Sequence, residues 1–173
     1  MKFKVIWGIA KDWFLALGIT LAVFGAWRVM TPGLASTGPA PALELRTTDG
    51  GSIDLATLDN EVVIVNFWAT WCGPCRGEIP EFAAFYEQNP DIPILGVSVD
   101  RNMDTHKLGL MSKRLGINYP VLHDYSGAVA NAWGVTAFPT TFVLDAQHQI
   151  IASHSGPLNR RHLEHYVAQV RED

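Results

Sequence analysis

Two thiols three positions apart, in Trp71-Cys72-Gly73-Pro74-Cys75-Arg76, are the only cysteines in the chain. Where such a segment opens a helix, one turn brings the sulfurs within disulfide reach. The unpaired amides and the positive end of the helix dipole then stabilise a thiolate on Cys72. Pro74 lacks the amide hydrogen that a first turn leaves unused, and its ring pre-sets the backbone for the helix. Thiol-disulfide exchange is the chemistry this pattern fits. Half of a zinc site is a poorer reading, because no second cysteine pair or neighbouring histidine completes a ligand set, and an inert disulfide is the blander one. Trp71 is expected to shield the pair and to meet a partner.

Glu78 lies three residues after Cys75, which places its carboxylate on the Cys75 side of a regular helix. Two readings stay open. A first-turn glutamate complements the helix dipole with no further role. Alternatively, an irregularity at Pro80 buries the carboxylate, which can then hold or accept the Cys75 proton. Asn66, inside an apolar strand, can order water or a side chain but cannot titrate. Of the six histidines only His123, beside Asp124 at a strand end, is a candidate substrate or metal contact; the others fit exposed helices and turns.

The elements needed to hold these residues can be read from periodicity. Glu61 to Trp68 is nearly continuous in apolarity and rich in β-branched residues, as a central strand covered on both faces would be. A helix is expected from Gly73 to about Gln88, with Ile79, Phe82, Ala83 and Tyr86 on its buried side and Pro80 bending or interrupting its first part. A strand at 92–99 follows, then a helix capped by Asp104, a short strand at 119–122 and a short helix at 128–133. The pattern then changes to a hairpin, 140–144 and 149–153 about the turn Asp145-Ala146-Gln147-His148, and a last helix over about 160–170. An earlier hairpin is expected at the sheet edge, with Leu43–Arg46 and Ile53–Leu55 about Asp49-Gly50-Gly51-Ser52. The sum is an α/β domain with a mixed central sheet and helices on both faces, βαβ followed by ββα.

The N-terminal region has a different composition. Residues 13–27 are uncharged and largely apolar; with Arg28 snorkelling and Trp13 and Trp27 as interfacial rings they approach the about 17 to 25 residues of a membrane span. Lys2, Lys4 and Lys11 precede the run and place the N-terminus inside. The expected organisation is a cytoplasmic N-terminus at 1–11, a transmembrane anchor at 12–31, a Gly/Pro-rich tether at 32–42 and the globular domain at 43–173. A cleaved signal peptide ending near Gly33-Leu34-Ala35, or a buried helix of a soluble protein, are the competing readings. Either export route delivers the cysteines to an oxidising or redox-controlled compartment. With 13 Lys and Arg against 17 Asp and Glu, and no basic run among aromatics, a nucleic-acid partner is excluded.

With Trp71-Cys72-Gly73-Pro74-Cys75, Val135-Thr136-Ala137-Phe138-Pro139-Thr140 and the preceding Val63–Thr70, residues 43–170 resemble the membrane-tethered TlpA/ResA-like branch of the thioredoxin superfamily. The resemblance implies a thioredoxin fold and a thiol-disulfide oxidoreductase with no cofactor and no metal. It implies that Cys72 attacks, that Cys75 resolves, that Glu78 is the active-site glutamate and that Pro139 is cis. Trp71, Gly73, Pro74, Phe138 and Pro139 become the substrate-contact set, the cis bond turning the Phe138 backbone toward the cysteines. The implied partners are a protein with an exposed disulfide or dithiol and a membrane redox donor, with the chain single-pass in a bacterial inner membrane and its catalytic domain in the periplasm. Asn66 stands where ordinary thioredoxins carry a buried aspartate, which favours the exported branch. Phe138-Pro139-Thr140 departs from the Ala-Pro-Glu often seen in cytochrome c maturation proteins. The similarity therefore points first to ScsD-type proteins of copper or redox stress tolerance and second to cytochrome c thiol reduction. Oxidation of exported thiols, and a copper-binding module using the thiols and a histidine, are the remaining alternatives.

Overall fold

A computed structural model describes residues 38–172. The expected cytoplasmic segment, anchor, cleavage site and first part of the tether lie outside the described residues. Among the described residues no helix is long and apolar enough to cross a membrane.

Among the described residues the central sheet has six strands, in the order β1 (Gly38–Pro39), β8 (Gln149–Ser155), β7 (Thr140–Asp145), β4 (Val62–Trp68), β5 (Ile94–Ser98) and β6 (Val121–His123). Strand β4, Val62–Trp68, is buried along its whole length. It runs parallel to β5, Ile94–Ser98, and antiparallel to β7, Thr140–Asp145. Its unbroken apolarity follows from that position, since both faces are covered and only Asn66 interrupts the run. Strand β6, Val121–His123, extends the parallel side, and β8, Gln149–Ser155, pairs with β7 across a bulge at Val143/Leu144. Phe67, Trp133 and Phe142 pack ring against ring beneath this sheet, with centroids 5.0 to 5.9 Å apart.

Four helices complete the domain: α1, Gly73–Gln88; α2, Thr105–Arg114; α3, Ala128–Ala132; and α4, Arg160–Glu172. The βαβ-then-ββα order expected from the sequence is present. Asp104 caps α2 by accepting from the Lys107 amide at 2.8 Å, as expected.

Three local expectations are corrected. Pro80 does not interrupt α1, which is helical through Gln88; Arg76 and Pro80 are both exposed, so the carbonyl that loses its donor faces solvent. The early hairpin, β2 (Glu44–Arg46) and β3 (Ser52–Asp54), lies at the sheet edge as expected, but as a two-stranded sheet of its own rather than as added strands of the main one. It is fastened to that edge at β6 by the Thr47–Leu122 bridge and by Thr48 N–H donating to the Val121 carbonyl at 2.9 Å. Finally, Gly38–Pro39, assigned to the tether, forms β1 against Ile150 and Gln149.

Candidate active site

The C-terminal end of β4 delivers the chain through Ala69 and Thr70 to Trp71 and into α1. Cys72 is the N-cap of that helix and its sulfur accepts a hydrogen bond from the Cys75 amide at 3.2 Å. Cys72 and Cys75 form a disulfide. Cys75 has no exposed surface, whereas Cys72 retains 6%. The cysteine expected to be exposed is therefore largely covered, although it is the one of the pair that reaches the surface. Gly73 and Pro74 beside it are exposed, and the Trp71 ring is 64% exposed.

Opposite this helix end lies the loop before β7. The Phe138–Pro139 peptide bond is cis, as the resemblance implied. The Phe138 ring meets the Trp71 ring edge-on at 5.9 Å, and the two line one cavity of about 360 Å³ together with Val99, Arg101, Ala130 and Val135. The Pro139 carbonyl accepts from the Gly156 amide, and the Thr140 hydroxyl donates to the Ala137 carbonyl. The Phe138 N–H and carbonyl make no hydrogen bond to the backbone of another described residue. They are available to an extended segment laid across the loop.

Glu78 is buried, with 3% of its surface exposed, so it is not a solvated first-turn glutamate. One carboxylate oxygen accepts from Asn66 Nδ2 at 2.9 Å and the other from the Leu158 amide at 2.9 Å. Asn66 also donates to the Thr141 hydroxyl at 3.1 Å. Burial pushes the Glu78 carboxyl up to about 7, the two donated hydrogen bonds opposing that rise. Its burial follows from the Leu158 loop closing over a continuous helix, rather than from a break at Pro80. The Tyr119 hydroxyl is raised by burial and, to a smaller degree, by the charge of Glu78.

Both ring nitrogens of His123 are engaged within the fold. The residue is buried, and Nε2 lies 2.7 Å from the Asp100 carbonyl, which can only accept, so Nε2 carries the hydrogen. Nδ1 is then the acceptor from the Thr105 hydroxyl at 2.9 Å.

Sequence reasoning missed Thr141, Leu158, Thr70 and Asp100. Asp100 carried a signal: a charged residue directly after the buried run Ile94–Val99 must be paired if the strand end is covered. The Leu158 amide had none, since backbone donors have no sequence signature.

The chain matches the AhpC/TSA family over residues 37–153. That span takes in both cysteines, Glu78 and the cis-proline loop. The chain belongs to the AhpC/TSA family. Among curated relatives it is 30% identical over 169 residues to the thiol-disulfide oxidoreductase ResA of Bacillus subtilis, covering 95% of this chain and 90% of the relative. It is 39% identical over 99 residues to a DsbE homolog, a thiol:disulfide interchange protein of Paracoccus denitrificans, covering 57% of this chain and 53% of that protein. Among solved structures, a thiol:disulfide interchange protein of the thioredoxin family from Chlorobium tepidum TLS superimposes with a TM-score of 0.67 at 30% identity, covering 77% of this chain and 95% of that one. The enzyme class expected from the cysteine spacing, a thiol-disulfide oxidoreductase, is borne out at the level of the family, and so is the thioredoxin-like fold.

Proposed function

We propose that this member of the family reduces disulfides of partner proteins outside the cytoplasm, with Cys72 as nucleophile and Cys75 as resolving thiol. The observation that carries the reading is the joining of the two sulfurs at the N-terminus of α1, with Cys72 reaching the surface beside Trp71 and Cys75 fully covered. In the reduced protein the amide now donating to Cys72 Sγ favours a thiolate there. That thiolate attacks one sulfur of a partner disulfide. A Cys72–partner bond forms, the partner's own bond breaks, and the first partner thiolate leaves and takes a proton. Cys75 then loses its proton and attacks Cys72 Sγ, which restores the Cys72–Cys75 bond and releases the second partner thiol. Two electrons and two protons pass to the partner, and a dithiol donor at the membrane must return them.

Glu78 handles the proton of the second step. A carboxyl near 7 exchanges protons at neutral pH, which an ordinary glutamate does poorly as an acid. The partner segment lies along the Phe138 backbone, with Trp71, Gly73, Pro74, Phe138 and Pro139 as its contacts. Physiologically we place the chain with ScsD-type proteins of copper or redox stress, with cytochrome c thiol reduction as the second role, supported by the ResA and DsbE relatives.

Reduction of insulin disulfides tests the reaction. Cys72→Ser should abolish it, while Cys75→Ser should accumulate a mixed disulfide visible by intact mass. Wild-type protein that binds Cu(I) stoichiometrically yet reduces no disulfide would replace exchange with a metal-binding role.

A further inference from the structure

We propose that Asp100 is a positioning residue for the nucleophile, acting through Thr70 on the turn that carries Trp71 and Cys72; this rests on the exchange chemistry proposed above. Asp100 stands two residues beyond the end of β5, the strand that neighbours β4, and is 2% exposed. Its carboxylate accepts three hydrogen bonds. The Thr70 amide donates at 2.9 Å, the Thr70 hydroxyl at 2.6 Å and the Ser98 hydroxyl at 2.7 Å. Both Thr70 contacts grip one residue, its backbone and its side chain, two positions before Cys72.

The cost of burying a carboxylate makes this arrangement informative. A half-buried threonine in a turn needs no charged partner, because water or a backbone carbonyl would serve. Here both donors of Thr70 converge on one buried carboxylate, which holds the turn through two charge-assisted bonds while the Ser98 hydroxyl fixes the carboxylate itself. The turn has few other ties: the Cys72 amide donates to the Ala69 carbonyl at 3.1 Å, and the Val99 amide donates to the Trp68 carbonyl at 3.1 Å.

Asp100 is itself held from behind. The His123 imidazole donates to its carbonyl and accepts from Thr105 at the start of α2. A continuous chain of hydrogen bonds therefore runs from α2 through β6 and the end of β5 to the residues that set the Cys72 sulfur over the first amides of α1. Release of the turn would move that sulfur relative to the Cys75 amide at 3.2 Å and the Trp71 ring relative to Phe138. Small displacements of a reacting atom lower rates by large factors.

The test compares Asp100→Ala, Asp100→Asn and Thr70→Val in the full-length chain. Asparagine can keep all three contacts, its oxygen accepting from the Thr70 amide and Ser98 and its amide donating to the Thr70 hydroxyl. Alanine removes all three, and valine removes only the Thr70 hydroxyl. Two quantities are read on reduced protein: the rate of attack on insulin, and the pH midpoint for alkylation of Cys72 by iodoacetamide. Asp100→Ala should attack at least about tenfold more slowly, with Thr70→Val intermediate and Asp100→Asn within about threefold of wild type. The alkylation midpoint should rise in the alanine and valine variants and hold in the asparagine variant. A merely structural Asp100 would lower the unfolding temperature and leave the midpoint of every folded variant unchanged, and that result overturns the proposal. Should Asp100→Ala fail to fold, Thr70→Val decides alone, an unchanged midpoint refuting it. Alkylation needs no partner, so wild type that alkylates normally but reduces no insulin would refute the exchange reading and leave this one standing or falling on the midpoints.

Discussion

A buried carboxyl near 7 makes Glu78 half-protonated at neutral pH, and that has consequences for both stability and rate. Between an unfolded value of 4.5 and a folded value of about 7, the unfolded chain releases this proton while the folded protein keeps it. The unfolded state then binds fewer protons, so stability falls as pH rises through that window and levels off above it. The separation corresponds to about 3 kcal/mol at ~1.36 kcal/mol per pH unit. Urea denaturation of the oxidised protein from pH 4.5 to 8 should show this decline, and Glu78→Gln should lose it. The glutamine can keep both partners, its oxygen accepting from Leu158 and its amide donating to Asn66 if that side chain turns over. The same variant should flatten the pH dependence of mixed-disulfide resolution between about pH 6 and 8 and leave the alkylation rate of Cys72 unchanged. Parallel denaturation midpoints for wild type and variant would show that the carboxyl does not hold its proton in the fold.

At the scale of elements, helix α3 shows how a short segment is placed by its first residue. Gly127, its N-cap, sits at φ 74° and is buried, with the Arg101 guanidinium packed where a Cβ would project. Arg101 there donates to the Ser126 carbonyl at 3.0 Å. Gly127→Ala forces a left-handed backbone on an L side chain and displaces Arg101, which should cost about 1–2 kcal/mol by chemical denaturation. The Cys72 alkylation rate should not change, because the turn holding Cys72 is tied to Asp100 rather than to α3. A loss near zero would mean that the Asp124–Ala128 segment rearranges freely. Elements with strong periodicity were legible in the sequence for a physical reason: β4 is apolar because both its faces are covered, and α1 turns Ile79 and Phe82 to the core as expected, although Phe85 rather than the half-buried Ala83 and Tyr86 completes that face. The cysteine pair was legible because its spacing is local. Glu78 was legible as a candidate but its burial stayed open, since that depends on the Leu158 loop, 80 residues away in the chain. Pro80 misled for the complementary reason: its local effect on the helix is absorbed by solvent. His123 resembled a ligand because its partners, a carbonyl and a threonine hydroxyl, come from other elements.

At the scale of the whole molecule, the domain completes its own sheet and core within residues 38–172, and no helix among these residues is long and apolar enough to cross a membrane. The sequence feature that fits a membrane span is the apolar run at 13–27, with Lys2, Lys4 and Lys11 before it. We propose that this run is a retained anchor and that the cysteines face outward. The charge asymmetry sets the orientation, because lysines resist translocation. Anchoring also suits the redox cycle: a reductant that must be recharged at the membrane gains effective concentration by staying there. Expressed in a bacterium with two membranes, the full-length chain should sediment with the inner membrane and keep its N-terminal residues by intact mass. After reduction, a membrane-impermeant maleimide should label Cys72 in spheroplasts without lysis. A soluble product beginning near Ser36 would refute the anchor but leave export intact. Labelling that appears only after lysis would refute export itself and, with it, the proposal of partners outside the cytoplasm.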